Sequence, residues 1–306
     1  MINRINKILK KEFSHGKLMR KIGAGAANII YLCETEVGRV VIKINLNNEE
    51  DLSREFNNMN YVAGQGFNQL PKLISFGEIN KKKYIIQEYI PGKILKEGKL
   101  TDSQIKKLAE FFKELHKIKR IKTCGDLNNH KKTKFSLTRK FNYIDEILQN
   151  YNGCLPKKDY DKYLILFDKA KKFLIKNDKS FIHNQTHVIN HGDCNPQNFI
   201  FNKDEVFAID WVYSKFKPEI GDILDLFNKA RLTKRQENLF LKHYGKINLK
   251  KMKAFSIASY LGMAIWSLDR LIKIKNKKLH RDLYKSKANE LRMFKRQVNK
   301  LKLVLK

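Results

Sequence analysis

HGDCNPQNFIFNKDEVFAIDW, residues 191–211, places two short apolar runs around a polar tetrapeptide and surrounds them with carboxylates and amides. Phe199, Ile200 and Phe201 are β-prone, Asn202 to Glu205 is a turn-type cluster, and Val206 to Ile209 is β-prone again, so the stretch predicts a small hairpin. Asp193 and Asn198 fall in the loop entering the hairpin, and Asp210 follows its last strand. Closing the hairpin therefore brings Asn198 and Asp210 near one another. One amide oxygen and one carboxylate suit Mg2+, which prefers a few protein oxygens plus substrate phosphates to a full protein cage.

Any single Asp in a loop is most often a turn or cap residue. The combination is more specific. Asp193 precedes Asn198 by the separation found between the proton-accepting Asp and the metal-binding Asn of the kinase loop H-R-D-x-x-x-x-N. With His-Gly-Asp at 191–193, Asn198, a hairpin and then Ile209-Asp210-Trp211, the segment resembles the aminoglycoside phosphotransferase and choline kinase group of small-molecule kinases. That resemblance implies Asp193 as the catalytic residue, accepting the hydroxyl proton or orienting the nucleophile, and Asn198 with Asp210 as the metal pair. His191 then supports the loop by packing and hydrogen bonding, while Cys194 and Gln197 take no role.

A kinase reading asks the N-terminal third for a phosphate-covering turn, a lysine on a strand and a carboxylate to hold it. Gly23-Ala24-Gly25 opens a strand-turn-strand pattern with β-prone runs at 29–33 and 39–44 and Gly38 in the turn between them. Small residues there let backbone N–H groups approach a polyphosphate. Asn28 stands where a third glycine of G-x-G-x-x-G would be, and Asn tolerates a left-handed turn. Lys43 in Val-Val-Ile-Lys-Ile matches the V-A-I-K strand pattern, and a lysine buried in so apolar a run needs an anionic partner. Leu52, Phe56 and Met59 have helical spacing in the segment that ends at Gly64 or Gly66. Glu55 within it is the candidate partner, the alternative being a solvated residue beside Arg54; Glu49, Glu50 and Asp51 read as first-turn acids. Residues 76–92 read as a hairpin and a strand running into Pro91-Gly92. The resemblance makes this the hinge, with the Glu88 carbonyl and Ile90 N–H facing adenine and Gln87 at the back of the pocket.

Composition bounds the rest. A chain of 306 residues with 42% hydrophobic and 11% aromatic residues is long and apolar enough for one large domain or two modest ones. Lys and Arg number 63 against 31 Asp and Glu, a formal net charge of +32. The cations are spread along the chain and mostly Lys, amid abundant Asn and Ile, which fits an AT-rich coding bias; no zinc-finger spacing, RNP-type pattern or basic zipper marks a specific nucleic-acid reader. The four cysteines Cys33, Cys124, Cys154 and Cys194 form no C-x-x-C pair. With no signal-type apolar run at the N-terminus and only the short, serine-containing stretch 254–268 weakly charged, a cytoplasmic protein without a membrane span is expected.

Beyond the hinge the pattern turns helical. Thr101 with Gln104 forms a capping box before the stripe Ile105, Leu108, Ala109, Phe112 and Leu115, with His116 read as structural. Further amphipathic helices follow in 119–190, broken near 151–159, and the tail from residue 254 is helical and Lys-rich. The expectation is an α+β, protein-kinase-like two-lobed fold: a small β-rich nucleotide-binding lobe at 1–90 and a larger, mainly helical catalytic and substrate-binding lobe at 91–306. The resemblance implies transfer of the γ-phosphoryl group of ATP or GTP to a small-molecule hydroxyl. Gly in place of the Arg of His-Arg-Asp, and Ile-Asp-Trp in place of Asp-Phe-Gly, separate it from protein kinases. The acceptor stays open between an aminoglycoside, a choline, ethanolamine or thiamine type of metabolite, and a spore-coat relative with an assembly role. Trp211, Tyr213, Trp266 and Asp269 are candidates for an ammonium cage, though core aromatics with a cap is the commoner reading of such residues, whereas Asp222 and Asp225 read as caps and anchors.

Overall fold

The structure, a computed structural model, describes residues 2–24, 28–46, 52–121, 124–127, 136–182, 186–276 and 287–306. It opens with helix α1 (Ile2–Glu12), strands β1 (Gly16–Ala24), β2 (Asn28–Thr35) and β3 (Gly38–Asn45), helix α2 (Leu52–Gly64), and strands β4 (Leu73–Ile79), β5 (Lys82–Glu88) and β6 (Lys93–Ile94). Then come α3 (Asp102–Leu115), β7 (Lys119–Ile121), β8 (Gly125–Asp126), α4 (Phe141–Gln149), α5 (Lys157–Ile182) and β9 (Thr186–Asn190). The remainder is β10 (Phe199–Asn202), β11 (Glu205–Ala208), β12 (Lys215–Lys217), α6 (Ile220–Lys229), α7 (Lys234–Tyr244), α8 (Leu249–Lys275) and α9 (Lys287–Leu305). By density of contact the chain divides into two compact units, Met1–Arg120 with Gly125–Lys131 and Val188–Lys246, and Ile121–Cys124 with Lys132–His187 and Ile247–Lys306.

The first unit is built on a five-stranded antiparallel sheet in the order β1-β2-β3-β5-β4. Turn chemistry fixes its registers. Gly38 at φ +100° closes β2 onto β3, and Asn80 with Lys81, both at positive φ, form the two-residue turn from β4 to β5. The hairpin expected before the hinge is thus β4–β5, and its second strand itself runs to Glu88. Six consecutive residues of β3 are buried: it is the central strand of the sheet, with Val40, Ile42 and Ile44 in the core formed with α1. On one side α1 lays Ile5, Ile8 and Leu9 against Tyr31, Ile42, Ile44 and Ile86. Each such side chain contributes about 1.5–3 kcal/mol on burial, so α1 is held by its apolar stripe.

The expected hairpin of 199–209 is β10 paired with β11, with Phe199 opposite Ala208 and Asn202 opposite Glu205; β6 adds a third strand. Helix α3 begins at the anticipated Thr101–Gln104 capping box, and its stripe, including Phe112 and Leu115, is fully buried. The segment 1–90 lies wholly within this unit, which also takes in α3, the 191–211 segment, α6 and α7.

The second unit is helical. Helices α8 and α9 pack against each other and against α5, and Leu261, Ala264, Leu268, Phe294, Val298 and Leu301 are buried there. Its buried Glu290 is matched by Arg270 Nε at 2.8 Å, as a charge removed from water requires. Among the described residues no helix is long and apolar enough to cross a membrane.

Candidate active site

Lys43 is 7% exposed on β3 and donates its ammonium to Glu55 Oε2 at 2.6 Å and to Asp210 Oδ1 at 2.9 Å. Glu55 comes from the first turn of α2 and is itself buried, so it is no solvated surface residue. Burial pushes a lysine toward the neutral form, but the two carboxylates outweigh that effect and hold the Lys43 ammonium above the ordinary lysine range. Asp210 caps a short 3-10 turn at 211–213 in the left-handed region, φ 68°, a conformation that Asp tolerates better than most residues. The left-handed kink turns its carboxylate out of the β11 line toward Lys43, whose hydrogen bond uses one of its oxygens.

The loop before β10 carries the second half of the site. Asn198 ends a short 3-10 turn that Pro196 begins, and its Nδ2 donates to the Asp193 carbonyl at 3.0 Å and to Asp193 Oδ2 at 2.9 Å. Among the described residues the amide oxygen of Asn198 takes no hydrogen bond. The Ile209 N–H donates to the Asn198 carbonyl at 2.9 Å, which ties the two ends of the hairpin together beside Asp210. His191 Nε2 lies 3.0 Å from the Ile209 carbonyl, and its ring packs edge-on to Trp211 at 4.7 Å, so His191 braces the loop against the hairpin end.

Helix α6 sets the loop from behind. Asp222 accepts the N–H groups of His191 at 2.7 Å and Gly192 at 3.0 Å, and Asp225 accepts that of Cys194 at 2.8 Å. One turn on, Lys229 donates to Asp193 Oδ1 at 2.5 Å and to Asp225 Oδ2 at 2.8 Å. Desolvation would raise the Asp193 pKa, but the Lys229 ammonium beside it overrides this and keeps the carboxyl below its usual range. Sequence reasoning gave Lys229 no role. The available signal was helical period, since Asp222, Asp225 and Lys229 share one face of α6.

A cavity of about 1090 Å³ in this unit is lined by Gly23, Lys43, Ile90, Asp193, Asn198 and Asp210, with Gln87, Glu88, Glu55 and Val41 around them. Gly25, the second glycine of the anticipated turn, lies outside the described residues, as do Glu49, Glu50 and Asp51. Asn28 does not supply a left-handed turn: it is the first residue of β2, paired with Asn45, because the strand starts there. Just after β5 the Tyr89 N–H donates to the Arg39 carbonyl, while the Ile90 N–H makes no backbone hydrogen bond among the described residues.

Of the aromatic residues weighed between core and cage, Trp211 takes the core reading. Trp211 is fully buried, edge-on to Phe67, with its indole N–H on the Ala208 carbonyl, so it is core. Trp266 and Asp269 belong to the helical unit, where the Arg270 guanidinium lies 4.8 Å from the Trp266 ring centroid and Lys273 pairs with Asp269 at 2.7 Å.

Comparison with known proteins places this geometry in context. Residues 19–255 match the phosphotransferase enzyme family. A protein LicA homolog of Metamycoplasma hominis is 27% identical over 168 residues, 55% of this chain and 59% of that protein. One from Mycoplasma capricolum subsp. capricolum is 26% identical over 194 residues, 63% of this chain and 69% of its own length. The match therefore spans less than two thirds of the first of these relatives. Among solved structures, spectinomycin phosphotransferase APH(9)-Ia in complex with ADP and spectinomycin superposes with a TM-score of 0.70 at 15% identity, over 99% of this chain and 98% of that one. Choline kinase LicA from Streptococcus pneumoniae gives 0.66 at 19% identity, over 99% of both chains. At such identities the likeness is one of fold, and the fold is kinase-like α+β.

Proposed function

The chain belongs to the phosphotransferase enzyme family, and from that premise we propose that it moves the γ-phosphoryl group of ATP or GTP to a hydroxyl of a small molecule. The observation that carries this reading is the convergence of Lys43, Glu55 and Asp210 with Asp193 and Asn198 at one cavity. Lys43, kept charged by its two carboxylates, binds the α- and β-phosphates, and Glu55 fixes its direction. Gly23 flanks the phosphates, with Gly25 assigned beside it by the sequence pattern. The Glu88 carbonyl and the Ile90 N–H receive the base. Segment 1–90 is in this sense the nucleotide-binding lobe, and 91–306 supplies catalysis and the acceptor site.

Phosphoryl transfer needs positioning and charge neutralisation more than covalent chemistry. The acceptor oxygen forms a bond to the γ-phosphorus as the bond to the β–γ bridging oxygen breaks; the nucleoside diphosphate leaves, and the hydroxyl proton passes to Asp193. The donor set fits Mg2+: the free amide oxygen of Asn198 and the second carboxylate oxygen of Asp210 are hard ligands, too few for a protein cage and suited to sharing a cation with phosphates. Asn198 and Asp210 would hold such a cation, which would supply charge neutralisation to the transferring phosphate. Free thiols at Cys33, Cys124, Cys154 and Cys194 suit a reducing, cytoplasmic setting.

For the acceptor, two relatives named LicA homologs, together with the like-folded LicA of Streptococcus pneumoniae, a choline kinase, favour an amino alcohol of the choline type; the likeness to spectinomycin phosphotransferase supports an aminoglycoside as the second reading. The test is consumption of Mg-ATP and Mg-GTP against choline, ethanolamine, thiamine, spectinomycin, kanamycin and a neutral sugar. One acceptor should drive turnover that Asp193→Asn abolishes while nucleotide affinity is kept. A protein that binds neither nucleotide overturns the reading.

A further inference from the structure

We propose that Lys229 is a positioning residue for the transfer step, holding the Asp193 carboxylate in the orientation from which it meets the acceptor hydroxyl. This inference rests on the kinase reading above and goes beyond it by adding a residue to the machinery. Three observations support it. First, the two oxygens of Asp193 are held from two directions, Oδ2 by Asn198 Nδ2 at 2.9 Å and Oδ1 by Lys229 Nζ at 2.5 Å. A carboxylate with one oxygen tethered can still rotate about its other bonds; with both tethered it has a single rotamer. Second, Asn198 and Asp193 line the nucleotide cavity and Lys229 does not, so the lysine restrains Asp193 without occupying the phosphate site. Third, the lysine is itself oriented. Asp225, one helical turn earlier, accepts a second hydrogen bond from the same ammonium at 2.8 Å, and Asp225 is fixed in turn by the Cys194 N–H.

The geometry also says what Lys229 does during a turnover. An ammonium has three N–H donors, of which two are used here. The acceptor hydroxyl reaches Asp193 beside this cation, and the Asp193–Lys229 pair stays charged and fixed as the hydroxyl approaches. Preorganised charge of this kind needs no rearrangement at the moment of reaction, which is the source of its effect on rate. Displacement of a catalytic group by about 1 Å costs on the order of 10²-fold in rate.

A purely structural explanation exists and is separable. Asp225 is largely withdrawn from water, and a lysine one turn away is an ordinary partner for such a carboxylate. If that were the whole role, removing both charges together would be harmless. The experiment compares wild type, Lys229→Met, Lys229→Arg and the double variant Asp225→Asn with Lys229→Met. Asn at 225 keeps an oxygen for the Cys194 N–H and removes the α6 charge that the loss of Lys229 would strand, while Asp193 keeps only its Asn198 hydrogen bond. Each is assayed for thermal stability, for affinity for Mg-ATP, and for kcat and KM with choline and, in parallel, for hydrolysis of Mg-ATP by water. Lys229→Met should lower kcat on the order of 10²-fold with nucleotide affinity unchanged. The double variant should regain most of the Tm lost in Lys229→Met and not kcat, and Lys229→Arg should recover part of kcat. Recovery of both Tm and kcat in the double variant, or an unchanged kcat in Lys229→Met, overturns the inference and leaves the kinase reading standing. A wild-type protein that neither binds nor consumes nucleotide overturns that reading, and this inference falls with it.

Discussion

The carboxylate of Asp222 accepts the backbone N–H of Gly192 at 3.0 Å, and Gly192 can offer it only from a backbone conformation that other residues avoid. Its φ is +85°, and a Cβ built there would lie 2.3 Å from the carbonyl oxygen of Tyr213. Glycine at this place is therefore required twice, for the left-handed turn and for the close passage of the segment after Asp210. Gly192→Ala should lower stability by more than the ~1–3 kcal/mol usual for a strained backbone, since the clash adds to it. Chemical denaturation measures this; a wild-type midpoint would show that the loop relaxes freely.

Asp222 also predicts an acid response. Its complete burial favours the neutral form, but the His116 hydrogen bond and the loop N–H groups outweigh burial and hold its pKa below the ordinary value. A carboxyl with a depressed folded pKa adds stability that is present above its unfolded pKa of about 3.9 and lost as pH falls through the lower folded value. Asp193, also depressed, acts in the same direction, and Asp225, raised by burial, acts in the opposite one. Thermal scans from pH 7 down to 3 should show the wild type losing stability below about pH 4 more steeply than Asp222→Asn. Parallel curves would remove Asp222 from this account.

The pair of Lys43 and Glu55 separates charge from shape. Glu55→Gln keeps an oxygen near the ammonium, with Asp210 still opposite, whereas Glu55→Ala leaves a buried lysine with one carboxylate and a void. Breaking a buried pair costs about 3–5 kcal/mol, so the alanine variant should be the less stable of the two by urea denaturation. Both should lose affinity for nucleotide. Equal stabilities would mean that water takes the place of Glu55.

These elements differ in how far they could be read from sequence. The 199–209 hairpin, the β2–β3 pair, the Thr101 cap and the approach of Glu55 to Lys43 each depend on short-range spacing, and short-range spacing is what a sequence displays. Lys229 meets Asp193 across 36 residues, and that contact depends on how α6 is rotated against the loop. Rotation is set by tertiary packing, including the buried Asp222 and Phe227, and no local motif encodes it. Trp211 had two readings in the sequence, core or cage, and the left-handed turn at Asp210 decides between them by sending the next side chain into the core. The N-terminal helix shows a third case, where Ile5, Ile8 and Leu9 had helical spacing and only the folded chain shows which surface they cover.

Asp210 gives a test of the proposed metal site with a readout independent of turnover. Asn is the substitution of choice, because it accepts the left-handed φ of 68° and keeps one oxygen for Lys43, while an alanine there would combine backbone strain with loss of the ligand. Asp210→Asn removes a formal charge from the cation site and leaves the pocket shape nearly unchanged. Binding of a nucleotide in the presence of magnesium should therefore weaken by an amount that metal-free binding, measured in a chelator, does not show. Magnesium itself should improve wild-type affinity and have little effect on the variant. Loss of the same factor with and without the cation would make Asp210 only a partner of Lys43, and a wild type indifferent to magnesium would remove Asn198 as well as Asp210 from the ligand set.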